Sequence, residues 1–183
     1  MRVIAGKARS LRLKAPVGMD TRPTTDRIKE TLFNMIQYQV PQSVFIDLFA
    51  GSGAIGIEAL SRGAAHAYFL ENQKDAISCI QENLSFTKMM QDATLIKSDV
   101  ISGLSQIHEK EADIIFADPP YALGIEKSLF AELYHMPYVT EHTTIILEAE
   151  IHHSFAFLDD MGFEIKKVKN YKTNKHLFIE RKP

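Results

Sequence analysis

The stretch DLFAGSGAIG, residues 47–56, follows the apolar run SVFI and leads into a segment whose apolar residues recur at helical spacing. Gly51, Gly53 and Gly56 fit the pattern Gly-x-Gly-x-x-Gly, which turns a strand into a helix and lets the backbone approach a ligand closely. Glu71 stands twenty residues after Gly51, at the end of the next apolar run. A tight strand-to-helix turn needs only the glycines. A nucleotide site needs the later acid as well, because a carboxylate there accepts from a ribose diol.

The pattern repeats outward from this stretch. The short runs SVFIDLF, AYFLE, ATLIKSD, DIIFAD and TTIILEAE alternate with helix-period segments at 54–62, 73–84, 100–108, 125–135 and 153–161. Apolar strands each followed by a helix predict a doubly wound α/β fold with a mostly parallel sheet covered on both faces. The last two runs, FEIKKVKNYKT and KHLFIERK, meet near Asn174 with no helix between them, and predict an antiparallel hairpin at one edge of a seven-stranded sheet. Before the first strand, Thr24 or Thr25 can cap a helix whose apolar stripe is Ile28, Leu32, Phe33 and Ile36, with Asp26 at its positive end and Pro41 as its stop. No linker or repeat divides the chain, so 183 residues are read as one domain: a basic segment over 1–24 and a catalytic core over 25–183.

Composition narrows the class. Hydrophobic residues make up 45% and charged residues 24%, and no apolar run approaches the roughly 20 residues that span a bilayer. The basic N-terminus lacks the apolar core of a secretory signal, and the single Cys79 sits between apolar neighbours at helical spacing, as in a reduced compartment. A cytoplasmic location is expected. His66, His152 and His153 have no ligand-spaced partners, so no metal is expected. Net charge is only −2, but it is unevenly spread: residues 1–30 carry eight Lys/Arg against three acids, residues 31–162 six against eighteen, and residues 163–183 seven against two. Basic ends on an acidic middle are either solvated surface or the parts of a phosphate-binding footprint.

The strand ends separate the ligands that a glycine loop can serve. Asp47 precedes Gly51 by four residues, where a carboxylate suits an ammonium better than a pyrophosphate. Asp99 ends the third run, within reach of an adenine amino group. DPPY, residues 118–121, ends the fourth. Two prolines stop that strand and fix the following backbone. A hydride-transferring, nicotinamide-dependent oxidoreductase has no evident use for DPPY. Methyl transfer from S-adenosylmethionine to an exocyclic base nitrogen has one: that lone pair is delocalised into the ring until acceptors hold its N–H bonds, and the Asp118 carboxylate and the Pro119 carbonyl can do so, while Tyr121 stacks on an extruded base. Guanine N2 and adenine N6 both satisfy this logic. An adenine-N6 enzyme usually needs an added target-recognition domain, and a protein-glutamine enzyme would favour Asn at 118.

DLFAGSGAIGIEALSRGA and DPPY, preceded by VIAGKARSLRLKAP and TRPTTDRIKETLFNMI, resemble the RsmD family of bacterial 16S rRNA guanine-N2 methyltransferases from residue 2 to the final hairpin. The resemblance implies a Rossmann-like, S-adenosylmethionine-dependent class I methyltransferase fold. It implies action on one guanine of small-subunit rRNA in a partly or fully assembled subunit, with no obligate protein partner and no membrane. Asp47, Phe49, Gly51 and Gly53 would line the methionine end of the cofactor, Glu71 and Asn72 the ribose, and Asp99 the adenine. Asp118, Pro119, Pro120 and Tyr121 would form the amine-binding motif, and Arg2, Lys7, Arg9, Arg12 and Arg22 would contact RNA. Ala5 and Ser10 stand where many members would have glycine.

Overall fold

Ile, Phe and Leu dominate the short runs because branched and aromatic side chains fit a pleated surface buried on both faces. In the computed structural model, which describes residues 1–16, 26–120 and 124–183, five runs form parallel strands: β1 (Val44–Asp47), β2 (His66–Glu71), β3 (Ala93–Lys97), β4 (Ile114–Ala117) and β5 (Thr144–Glu150). The last two, β6 (Phe163–Asn170) and β7 (Asn174–Arg181), form the antiparallel hairpin, and the seven-stranded order is β3-β2-β1-β4-β5-β7-β6. The order reverses at β1, which pairs with β2 on one side and β4 on the other, so a crevice opens beyond the C-terminal ends of β1 and β4.

Alternation along each strand sends side chains to two cores. Phe45, Phe69, Phe116, Ile146 and Phe178 join one with α1 (Asp26–Met35), α2 (Ala54–Ser61) and α3 (Lys74–Phe86). Ile46, Leu70, Ile115, Leu147 and Ile179 join the other with α4 (Val100–Leu104), α5 (Glu126–His135) and α6 (Phe157–Asp160). Helices thus cover both faces, and among the described residues none is long and apolar enough to cross a membrane. Two glycines of the 47–56 stretch are required for different reasons. Gly53 precedes α2 at φ 78, in the left-handed region. A Cβ on Gly56 would stand 2.3 Å from the Phe69 ring, so this glycine lets α2 lie close on β2.

Several local expectations are corrected. The α1 stripe is Lys29, Leu32, Phe33 and Ile36, with Ile28 only half-buried, because i, i+3, i+4 and i+7 place the lysine on the core face. The helix ends at Met35 rather than at Pro41; residues 36–40 continue as turns closed on the Ile36 carbonyl. Thr24 and Thr25 lie outside the described residues. The segment 153–161 is helical only over Phe157–Asp160, since Phe155 reaches the core from the preceding loop. Asn174 opens β7 opposite Glu150 instead of occupying the turn.

Residues 1–16 form a folded strap. Arg2 bridges to Arg12, Val3 N–H donates to the Leu11 carbonyl, and Ser10 N–H donates to the Val3 carbonyl. Ser10 holds φ 70, a conformation that favours glycine. The strap is clamped to α2. Ile4 and Ala5 N–H donate to the two oxygens of Glu58 at 2.7 and 3.0 Å, Ala8 N–H donates to Ser61 Oγ, and Lys29 Nζ donates to the Arg2 carbonyl at 2.6 Å.

Candidate active site

The loop after β1 stays tied to both neighbouring strands: Leu48 N–H donates to the Phe116 carbonyl and Ala50 N–H to the Leu70 carbonyl. It therefore leaves the sheet as a fixed rim of a cavity of about 900 Å³ at the β1/β4 crevice. Asp47, Phe49, Gly51, Glu71, Asn72, Asp99, Asp118 and Pro120 all line this space. Gly53 shapes the rim from behind, packed between Ile57 and Ile80. Met1, Ala15 and Pro16 of the strap and the buried Lys29 complete the wall.

Asp47 is the most unusual group in the cavity. It is 1% exposed, Oδ2 accepts from Gly56 N–H at 3.2 Å, and Oδ1 is the one buried side-chain oxygen without a hydrogen-bond partner among the described residues. Burial pushes its pKa up to about 7, with the Glu71 charge adding to the rise and the Gly56 hydrogen bond opposing it. An unpaired buried oxygen is costly unless a donor arrives. A cationic ligand group would supply one.

Glu71 and Asp99 meet the cavity already partly engaged. Glu71 Oε2 accepts from Gly51 N–H at 2.9 Å, and Oε1 from Asn72 and Gln73 N–H at 2.9 and 2.8 Å, which pins the glycine loop to the end of β2. Carboxylate oxygens carry about four acceptor positions, so capacity remains for a diol. Asp99 is exposed at the start of α4, where Oδ1 caps Ser102 N–H at 3.0 Å, and that hydrogen bond lowers its pKa.

Asp118 leaves β4 directly after Ala117, beside the buried Pro119 and the exposed Pro120. Desolvation, the neighbouring Glu148 and then Asp47 raise its pKa well above the usual carboxylate range. Tyr121 and Arg22 lie outside the described residues. Among the other basic residues read from the sequence, Arg2 pairs with Asp26 at 2.9 Å and Lys7 with Asp92 at 3.2 Å. Arg9 and Arg12 are exposed, with no ion pair among the described residues.

Four groups escaped the sequence reading. Lys29 and Glu58 are fully buried, 3.3 Å apart, and Arg62 closes on Glu58 at 2.7 Å. Asn83 on α3 joins strap to rim: Oδ1 accepts from Lys14 N–H, and Nδ2 donates to the Lys14 and Ser52 carbonyls. His176, fully buried on β7, holds Glu148. A charged residue within an apolar helical stripe, as at Lys29 and Glu58, is the signal that could have found two of them.

A Rossmann-like sheet with this strand order, and acids at the ends of β1, β2 and β4 around one cavity, defines a class I methyltransferase. The comparisons with known proteins agree. The family model described as Conserved hypothetical protein 95 matches residues 1–180. The Escherichia coli K12 protein named Ribosomal RNA small subunit methyltransferase D is 34% identical over 151 residues, spanning 82% of this chain and 75% of that protein. The Buchnera aphidicola protein of the same name is 30% identical over 168 residues, spanning 92% and 87%. A solved structure of a Thermus thermophilus protein described as hypothetical superposes with a TM-score of 0.83 at 27% identity, covering 98% of this chain and 99% of that one. The chain belongs to this family, the RsmD methyltransferases.

Proposed function

We propose that the protein transfers a methyl group from S-adenosylmethionine to the exocyclic N2 of a guanine in 16S rRNA, within a partly or fully assembled small subunit, as a single methyltransferase domain. The observation that carries this reading is the pair of carboxylates on one cavity: Asp47, buried with one oxygen unpaired, and Asp118 at the mouth of DPPY. The small-subunit rRNA named for the Escherichia coli and Buchnera relatives supports the substrate class.

The residues fit the cofactor. Asp47 Oδ1 would receive its ammonium, the rim at Phe49, Gly51 and Gly53 would follow its methionine part, Glu71 and Asn72 would hold the ribose, and Asp99 would lie by the adenine. When bound, S-adenosylmethionine supplies a methyl group on a positively charged sulfur that departs with the bonding electron pair. Asp118 and the Pro119 carbonyl accept the N–H bonds of the guanine amine and turn its lone pair toward the methyl group. Asp118 then takes the proton that the alkylated nitrogen loses. Tyr121 stacks on the extruded base, and Arg2, Lys7, Arg9, Arg12 and Arg22 contact backbone phosphates.

The test is transfer of labelled methyl from S-adenosylmethionine to small subunits and to free 16S rRNA from cells lacking the gene, followed by nucleoside mass spectrometry. N2-methylguanosine is expected. N6-methyladenosine, or no RNA labelling with either substrate, overturns the reading.

A further inference from the structure

The register of the sheet aligns ionisable residues in one row across four strands. Ala117 pairs with Leu147, so Asp118 and Glu148 are the next neighbours along β4 and β5. Glu148 pairs with His176 on β7, and His176 with Lys169 on β6. Because side chains alternate, all four project to the face that also carries Phe116, Ile146 and Phe178.

The middle of the row is buried and held from several directions. Glu148 Oε2 lies 3.0 Å from His176 Nε2, and Glu148 Oε1 accepts from Asn174 Nδ2 at 2.5 Å. The other ring nitrogen of His176, Nδ1, lies 3.1 Å from the Tyr171 hydroxyl, and the ring stands edge-on to Phe116, with centroids 6.1 Å apart. His176 is 0% exposed and Glu148 7%. Glu148 does not line the cavity formed by the described residues. Yet two residues of β7, Asn174 and His176, fix its carboxylate, and Tyr171 and Phe116 in turn hold the His176 ring. Burying a carboxylate costs free energy, and a strand-end acid with no task would face solvent.

We propose that Glu148, oriented by His176 and Asn174, is a positioning residue whose fixed negative charge governs the ionisation of Asp118. This rests on the role of Asp118 given under the proposed function. A negative neighbour makes Asp118 a stronger base, suited to taking the proton from the methylated amine, and the base amine replaces that proton's hydrogen bond when substrate enters. The other charged groups on the cavity with Asp118 are Asp47 on β1, Glu71 on β2, Asp99 before α4 and Lys29 on α1, with Lys169 at the far end of the row. Lys29 acts against Glu148. It is already engaged by Glu58 and the Arg2 carbonyl, which leaves the acids dominant.

The decisive experiment is a carbon-13 NMR titration of side-chain carboxyls in the free protein, with the Asp118 signal assigned by its loss in Asp118→Asn. In Glu148→Gln, which keeps size and can keep both hydrogen bonds, the Asp118 midpoint should fall by at least about one pH unit, a tenfold change in proton affinity. Glu148→Asp, which keeps the charge, should titrate nearer the wild type. An unmoved midpoint in Glu148→Gln overturns the proposal. On single-turnover transfer, Glu148→Gln should carry the acidic limb of the pH profile to lower pH; a merely structural role would lower the rate at every pH and leave the limb in place. The titration needs no substrate, so wild-type protein inactive on RNA would sink the proposed function while the NMR result still judges Glu148.

Discussion

Glu58 on α2 and Asp47 at the end of β1 are both buried carboxylates, and they differ in what surrounds their oxygens. Glu58 is 0% exposed and saturated: two strap N–H groups, the Lys29 ammonium and the Arg62 guanidinium converge on it. Asp47, equally buried, has one N–H at Oδ2 and nothing at Oδ1 among the described residues. The first is a finished joint between strap and helix. The second is left one donor short, a place that a ligand's ammonium group would fill. A shortfall in the local hydrogen-bond count at a buried charge therefore points to a direct ligand contact.

The comparison breaks most sharply at Glu58. Removing it leaves Lys29 buried without its carboxylate and two strap N–H groups unsatisfied, so Glu58→Ala should lose about 3–5 kcal/mol of stability in denaturant unfolding. A loss near zero would show that the strap contributes nothing to the fold. Asp118→Ala should instead leave stability and cofactor affinity nearly unchanged while single-turnover transfer falls about 10²–10³-fold, the usual cost of removing one preorganised polar group that faces the reacting atoms. Normal chemistry with weak cofactor binding would place Asp118 in the wrong role.

Asp47 sharpens the contrast because its two effects have opposite signs. Asp47→Ala should weaken S-adenosylmethionine binding by about 1.5–3 kcal/mol, measured by calorimetry, through loss of a charge-assisted partner. Without cofactor, the folded protein keeps a proton on Asp47 up to about pH 7 that the unfolded chain releases near pH 4. The native state then binds more protons across that window, so this group's contribution is fully present below about pH 4 and is lost as pH rises through 7. Asp47→Asn should flatten that decline and melt higher than wild type at neutral pH. A steeper decline in the variant would show that the Asp47 carboxylate is satisfied after all.

What the sequence disclosed follows from range. Strand runs, the glycine rim and the strand-end acids are written in local spacing, and the hairpin is visible because two strand-like runs meet without a helix between them. The parts that stayed hidden are pairings at long separation. Glu58 meets Ile4 and Ala5 across more than fifty residues, and Glu148 meets His176 only once β7 has inserted beside β5. No local pattern reports such contacts. Lys29 is the intermediate case: its helical spacing with Leu32, Phe33 and Ile36 is available in the sequence, yet the sequence reading takes Ile28 in its place, because a cation on an apolar stripe makes sense only when Glu58 is known to lie opposite.

The smallest expected effect tests whether the strap is only a joint. Arg2 and Lys7 already pair with Asp26 and Asp92, but such exposed pairs are weak enough to exchange for phosphate. Arg9 and Arg12 make no ion pair among the described residues, and they project from a segment whose opposite side is locked to Glu58 and Ser61. A rigid base with unpaired cations on its outer side is suited to reading a phosphate backbone. Replacing both with Ala should leave folding and cofactor affinity intact, weaken RNA binding, and reduce the slope of log affinity against log salt by about 0.7–0.9 for each phosphate no longer neutralised. The measurement is a salt series of equilibrium binding to the same RNA or subunit for wild type and the double variant. An unchanged slope would confine the strap to its structural task and move the phosphate contacts elsewhere, with the lysines of β6 the next place to look.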